Sequence, residues 1–337
     1  MDSIPLVRST WLLPFISYLQ RGGAYPARYL RSARLPTRLV DPTNDYISIR
    51  SGFQFIDIVA NAEGIDHFAL RVGEALRLED IGNLREQIVS APTLYSALVA
   101  YCAAVKKEST HSNYWVMQRG QETWMCRGDT AGLGIDQRLN SLFALMLMKT
   151  VISMYFGKKW RPSAVYLQID DLRGLQISEP LSQADIRGGH PFTAIVLPAS
   201  LTSETMGKRG RPGTVQSMVI ESGETARDPQ LTFAGSLRQV LRPYLSEEAD
   251  IILAADLAGV SVRTLQRRLK QSGLSFSDML QQTRFEAACS LLEDPDIRLT
   301  DIAFDIGYSD QAHFTRAFHR WAGVSPSVYR TTQCLSS

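Results

Sequence analysis

The stretch Ala255-Asp256-Leu257-Ala258-Gly259-Val260-Ser261-Val262-Arg263-Thr264-Leu265-Gln266-Arg267-Arg268-Leu269 recurs, loosely, as Ala303-Phe304-Asp305-Ile306-Gly307-Tyr308-Ser309 followed by Phe314-Thr315-Arg316-Ala317-Phe318. Each copy has an Ala four residues before a Gly, then a Ser, then an apolar–x–Arg–x–apolar segment. The small Ala lets two helices approach closely, and the Gly supplies a tight turn at left-handed φ. The Ser caps the second helix, and the apolar pair at i, i+4 pins that helix to a core. These are the requirements of a helix-turn-helix unit. The two turn glycines lie 48 residues apart, which predicts two such units in one all-α domain.

On a helix beginning at Ser261, Leu265 and Leu269 face inward. Arg263, Gln266, Arg267 and Lys270 then share the outward face, because residues three and four apart are neighbours on a helix. Arg pairs bidentately with guanine O6 and N7, and Gln with adenine N6 and N7. Arg263, Gln266 and Arg267 are therefore candidate base contacts on double-stranded DNA. Arg268, off this face, and Lys270 are candidate phosphate contacts. In the second copy Phe314 and Phe318 face the core. Gln311, His313 and Arg316 remain outward as candidate base contacts, with Thr315 and Arg320 as candidate phosphate contacts. A small helical bundle whose arginines merely solvate its surface would explain one copy of the pattern; two copies, each with Arg inside the second helix, favour the DNA reading.

Bulk electrostatics does not announce this partner, since the formal net charge is only +2. From Phe233 to Ser337 there are eleven Lys or Arg against twelve Asp or Glu, so the positive charge must be concentrated on one face. It is: Arg263, Arg267, Arg268 and Lys270 fall in a segment with no acid, while carboxylates cluster at Glu247-Glu248-x-Asp250 and Glu293-Asp294-x-Asp296.

A chain of 337 residues is long enough for two domains with a core each. Cys102, Cys126, Cys289 and Cys334 form no CxxC or Cys/His cluster, and are expected to be buried free thiols in a reducing compartment. The N-terminus lacks the basic start and apolar run of a signal peptide. The longest apolar stretch, Leu142 to Phe156, is interrupted by Lys149 and falls short of the ~20 residues a bilayer requires. The chain is read as cytoplasmic, without a membrane partner.

The first ~100 residues look helical. Trp11, Leu12, Phe15, Ile16 and Leu19 share a helical period, Pro26 starts a second helix, and Ile49, Phe53, Ile56 and Val59 form a third stripe. Thr93 caps a fourth helix. Then the period changes: Tyr114–Gln118 and Thr123–Cys126 flank Gly120-Gln121, which predicts a β-hairpin. A long helix from Asp136 to about Phe156 follows, then strands at Ala164–Ile169 and Ala194–Leu197 with a helix near Ser182–Ile186 between them. The expectation is an α+β N-terminal domain of helices against a small sheet, residues 1–200. A polar connection over 201–231 leads to an all-α domain over 232–332, with helix-turn-helix motifs at about 250–272 and 299–321. Ser275, Asp310 and Ser325 mark helix starts there.

The C-terminal ~100 residues resemble the DNA-binding domain of the AraC/XylS family of bacterial transcription regulators. The likeness rests on Leu265-Gln266-Arg267-Arg268-Leu269, Arg284-Phe285-Glu286-Ala287-Ala288 and Ile302-Ala303-Phe304-Asp305-Ile306-Gly307-Tyr308-Ser309. It closes on Phe314-Thr315-Arg316-Ala317-Phe318-His319-Arg320-Trp321-Ala322-Gly323-Val324-Ser325-Pro326, its most diagnostic run. The resemblance implies seven helices, two helix-turn-helix units joined by a long helix, and recognition helices entering major-groove segments about one turn apart. Less sharply, His67-Phe68-Ala69-Leu70-Arg71-Val72-Gly73 and Ala91-Pro92-Thr93-Leu94 resemble the arabinose-binding-like N-terminal region of one branch of that family. That region is not the small cupin barrel of the founding sugar sensor. The resemblance implies a small-molecule effector, a homodimer and contact with RNA polymerase.

The leading expectation is thus an effector-responsive regulator, an activator by family, with no cofactor or metal and no catalytic role. Two alternatives stand beside it. One is a DNA-repair or ligand-modifying enzyme that uses this domain as an address; such fusions carry a zinc-bound Cys cluster, which is missing here. The other is a constitutive oligomeric DNA-binding protein without an effector. Lys208-Arg209-Gly210-Arg211-Pro212 resembles a minor-groove hook but is short. Gly132-Leu133-Gly134 lacks the third glycine of a dinucleotide fingerprint. Trp115 and Trp124 are read as core. No Ser/His/Asp arrangement is recognisable. The aromatic and Met-rich N-terminal region, without a glycine-rich phosphate cradle, favours a small apolar or amphiphilic effector.

Overall fold

The computed structural model describes residues 3–37, 45–76, 84–128, 137–157, 159–175, 178–203, 232–247 and 249–334. Most of the expected connection, with the basic run Lys208–Pro212, lies outside the described residues, as do Gly132, Gly134 and Asp136. Two compact units interleave along the chain: one comprises Met1–Leu6, Arg38–Ser48 and Arg227–Ser337, the other Val7–Thr37 and Ile49–Ala226.

The second of these is α+β. A short strand at Leu6–Arg8 (β1) lies at the first boundary between the units along the chain, another at Tyr46–Ser48 (β2) belongs to the other unit, and the helices before the main sheet are α1 (Leu13–Arg21), α2 (Pro26–Ser32), α3 (Ile49–Glu63), α4 (Phe68–Glu74), α5 (Leu84–Val89) and α6 (Leu94–Glu108). Thr93 caps α6 as expected, in a capping box where its hydroxyl accepts from Ser96 N–H and the Ser96 hydroxyl accepts from Thr93 N–H. The hairpin forms β3 (Tyr114–Arg119) and β4 (Glu122–Arg127), followed by α7 (Gln137–Phe156), β5 (Ala164–Tyr166), β6 (Asp185–Arg187) and β7 (Thr193–Pro198). The sheet runs β3-β4-β7-β5-β6, antiparallel except for the β5–β6 pair.

Period-two alternation gives this sheet two different faces. Tyr114, Met125, Val165, Ile195 and Leu197 join the core built on α6 and α7, while Trp124, Cys126, Ala194 and Val196 form a separate cluster with Trp115 and Phe192 against it. Both tryptophans are thus packing residues. The segment near Ser182–Ile186 is not the expected helix. A single 3-10 turn at Glu179–Leu181 precedes strand β6, whose Ile186 pairs with Val165.

By length and composition Arg138–Phe156 is long and apolar enough to cross a membrane, which the stretch from Leu142 alone does not reveal. In the fold it is the central helix, with Leu142, Leu145, Met146, Met148, Val151 and Ile152 buried in the core. Its contact with α4 is close because of Gly73: a Cβ there would stand 2.3 Å from that of Met146. Trp11, Phe15, Phe53, Phe68 and Phe143 form an aromatic cluster beside it, with centroids 4.6–5.8 Å apart. Cys102 and Cys126 are buried free thiols; burial pushes both up to about 12, far from thiolate reactivity at neutral pH.

The other unit carries α8 (Phe233–Leu241), α9 (Ile251–Leu257), α10 (Val262–Gln271), α11 (Phe276–Leu292), α12 (Leu299–Asp305), α13 (Gln311–Ala322) and α14 (Pro326–Cys334). Two cores hold it. One joins Leu237, Leu241, Ala255, Leu257, Leu265 and Met279, and also takes in Ile4 and Leu6 from the start of the chain. Ile4 N–H donates to Ser236 Oγ at 2.8 Å. The other core joins Leu245, Ala288, Ile302, Ala303, Phe314 and Phe318. The long helix α11 serves both, through Met279 at one end and Ala287, Ala288 and Leu292 at the other.

Candidate nucleic-acid interface

The first helix-turn-helix is α9 and α10. Asp250 caps α9 by accepting from Leu253 N–H at 2.7 Å. The chain turns at Gly259, φ 65°, and Ser261 caps α10 by accepting from Thr264 N–H at 3.3 Å. Leu265 and Leu269 are buried, while Arg263, Gln266, Arg267 and Lys270 are exposed. The outward face expected from the spacing is therefore present, and no acid lies on the helix. Such a face concentrates positive potential without repulsion from its own carboxylates.

Arg268 is different. It is half-buried, with its guanidinium carbon 4.9 Å from the ring centroid of Phe233 on α8. That cation–π contact ties α10 to α8.

The second unit is α12 and α13. Gly307 has φ 83°, and a Cβ there would stand 2.1 Å from the Leu245 carbonyl oxygen, so both the turn and the close approach require glycine. Arg284 of α11 sits over the Tyr308 ring at 5.3 Å and braces the turn. Here the cap is Asp310, accepting from His313 N–H at 2.6 Å; Ser309, which stands where Ser261 does, is one residue too early. The donated N–H bond holds the Asp310 carboxyl below its ordinary range.

Phe314 and Phe318 are buried on α13 as the spacing required, and Gln311, His313, Arg316 and Arg320 are exposed. His313, Arg316 and Arg320 recur at i, i+3 and i+7 and share one face. Gln311 stands aside: its Oε1 accepts from Thr300 Oγ1 at 3.0 Å. Its amide N–H groups remain free to point at an acceptor such as guanine O6. Thr315 is half-buried and its hydroxyl donates to the Gln311 carbonyl at 2.8 Å, leaving no hydroxyl proton for a phosphate in this rotamer. The spacing did not single out His319, which is exposed next to Arg320; its signal was its place seven residues after Ala312 on the polar side.

Two helix-turn-helix units sharing one long helix define a DNA-binding domain of bacterial regulator type. Residues 254–332 match the model described as "Helix-turn-helix domain". Residues 23–206, more than half of the chain, match "Arabinose-binding domain of AraC transcription regulator, N-term". The chain belongs to the AraC family of transcription regulators.

Among relatives, it is 30% identical to the HTH-type transcriptional regulator VqsM of Pseudomonas aeruginosa over 125 residues, 36% of this chain and 38% of that protein. It is 38% identical to the HTH-type transcriptional activator RhaS of Shigella boydii over 91 residues, 27% of this chain and 33% of that protein. The chain thus spans about a third of the length of these relatives. Among solved structures, transcriptional regulator CdpR of Pseudomonas aeruginosa is 21% identical, with 91% of this chain and 96% of that one covered and a TM-score of 0.36.

Proposed function

We propose that this chain is a sequence-specific transcription regulator that reads double-stranded DNA through α10 and α13 and is controlled by a small organic effector. The observation that carries this reading is the acid-free exposed face of Arg263, Gln266, Arg267 and Lys270 on a capped helix pinned by Leu265 and Leu269. Arg263, Gln266, Arg267, Gln311, His313 and Arg316 contact base edges, and Lys270 and Arg320 contact phosphates. Arg268 supports α10 from behind and reaches phosphate only at its edge. The effector binds in the region 1–200, and the DNA-binding function resides in 232–332. The protein acts by binding and not by catalysis, in the cytoplasm, as a homodimer. It activates by engaging RNA polymerase, a sign of regulation supported by the likeness to the transcriptional activator RhaS.

The test is footprinting of the full chain on sites selected from random-sequence DNA. Two protected major-groove segments displaced by about one helical turn, ~10 bp, are expected. Arg267→Ala weakens protection in one segment and Arg316→Ala in the other, each by ~1–3 kcal/mol at the specific site. Protection of a single segment, unaltered by Arg316→Ala, would make the second unit structural.

A further inference from the structure

A cavity of about 30 Å³ in the α+β unit is lined by Trp11, Phe53, Ser109, Ser112, Arg127 and Asn140, among others. Arg127, the last residue of β4, is 2% exposed. Alternation along β4 puts it on the same face as Thr123 and Met125, facing the helices and not solvent. One side of its guanidinium donates to Tyr114, whose hydroxyl also accepts from buried Tyr101. Its Nη1 has no hydrogen-bond partner among the described residues, and no described residue lining the cavity is acidic. A buried cation that has, among the described residues, neither a counter-charge nor a full set of acceptors is costly, and a fold retains one where something else completes it.

We propose that the cavity is the effector site and that the effector is a small organic carboxylate with an apolar body, its carboxylate on Arg127 Nη1 and its body against Trp11 and Phe53. This inference rests on the reading of the N-terminal region as an effector sensor. The guanidinium fork matches a carboxylate in geometry and charge, and the Ser109 hydroxyl, whose oxygen accepts from the Ser112 hydroxyl at 2.9 Å, supplies a further donor at the same wall. The space present accommodates about two waters, enough for the carboxylate. The apolar body takes its room from Trp11, which is only half-buried, and ring stacking on Trp11 and Phe53, 5.2 Å apart, favours a flat or branched short chain. A neutral sugar would leave the Arg127 charge uncompensated.

Thermal melting and calorimetry of the full chain decide this, using benzoate, phenylacetate and 4-methylpentanoate, their amides, arabinose and xylose, and sodium chloride at matched concentration. Arg127→Met keeps the volume and removes the cation; Ser112→Leu keeps the cation and fills the cavity. Carboxylates should raise the melting temperature of the natural chain, and bind on the order of ten- to hundredfold more weakly to Arg127→Met. Without ligand, Arg127→Met should melt no lower than the natural chain. Ser112→Leu should lose the carboxylate response as well, which decides the case if Arg127→Met fails to fold. If the sugars or amides stabilise all three proteins and the carboxylates do not, the carboxylate assignment falls while the effector reading stands. Equal stabilisation by chloride, or carboxylate binding that survives both substitutions, overturns the site. No response to any compound overturns the site and the sensor reading together.

Discussion

At the scale of single residues, neighbouring arginines of one helix have different work. Arg267 is exposed on the outward face of α10, whereas Arg268 lies over the Phe233 ring. Removing the first should leave the fold intact and cost ~1–3 kcal/mol of site-specific binding with relaxed preference at one base step. Removing the second should instead lower folding stability by about 0.5–1 kcal/mol and weaken binding evenly across DNA sequences. Paired measurements on Arg267→Ala and Arg268→Ala, melting temperature beside affinity for selected and scrambled DNA, separate the two. Melting unchanged in Arg268→Ala would mean that the stacking contributes nothing and that this residue serves DNA alone. The periodicity that sorted Arg263, Gln266, Arg267 and Lys270 from Leu265 and Leu269 was readable because it is a property of one helix. That Arg268 has an aromatic partner was not, because Phe233 is thirty-five positions away in the sequence.

At the scale of elements, the two recognition helices are capped by different chemistry, Ser261 for α10 and Asp310 for α13. Only the second cap titrates. The Asp310 carboxyl is held below its ordinary value chiefly by the His313 N–H bond, so its contribution is fully present above the unfolded value, near pH 4. It is lost as pH falls through the depressed folded value. Asn caps as well as Asp and does not titrate. Acid unfolding of Asp310→Asn, followed by amide exchange in the first turn of α13, should therefore be less steep below pH 4 than in the natural chain. Identical profiles would show that the cap carries no pH dependence. Local rules made such elements legible: caps at Thr93, Ser261 and Ser275, the glycine turns, the hairpin at Gly120. Strand β6 escaped because Asp185-Ile186-Arg187 is three residues long and is a strand only through its parallel partner β5. Arg127 escaped for a related reason. Its place on the inward face of β4 follows from alternation with Met125, but the cavity beside it is built from Trp11, Phe53, Ser109 and Asn140, which only the tertiary fold brings together.

At the scale of the molecule, the two helix-turn-helix units have separate cores, and among the described residues only one of these cores takes in side chains from the start of the chain. Ile4 and Leu6, each 2% exposed, pack with Leu237, Leu241, Leu265 and Leu269, and the backbone of Ile4 is tied to Ser236 of α8. The core under α13 contains Leu245, Ile302, Phe314 and Phe318 and no residue from that segment. Truncating a buried Ile or Leu to Ala removes packing and leaves a cavity, at a cost of about 2–5 kcal/mol. Because α11 spans both cores, global unfolding reports the sum. Local opening still distinguishes them. Ile4→Ala or Leu6→Ala should speed amide exchange in α8 and α10 well beyond α13, and should weaken protection in the DNA segment read by α10 before the segment read by α13. Equal acceleration in both recognition helices would show that the unit opens as a single cooperative block, with the first residues stabilising the whole of it. No acceleration in either would mean that the N-terminal strap packs on the first core without supporting it. If the expected difference is found, the α10 unit, with the more strongly cationic face, is the one whose stability is drawn from two distant stretches of the chain. A signal that displaced those first residues would reach base recognition through packing, without touching the DNA-facing side chains.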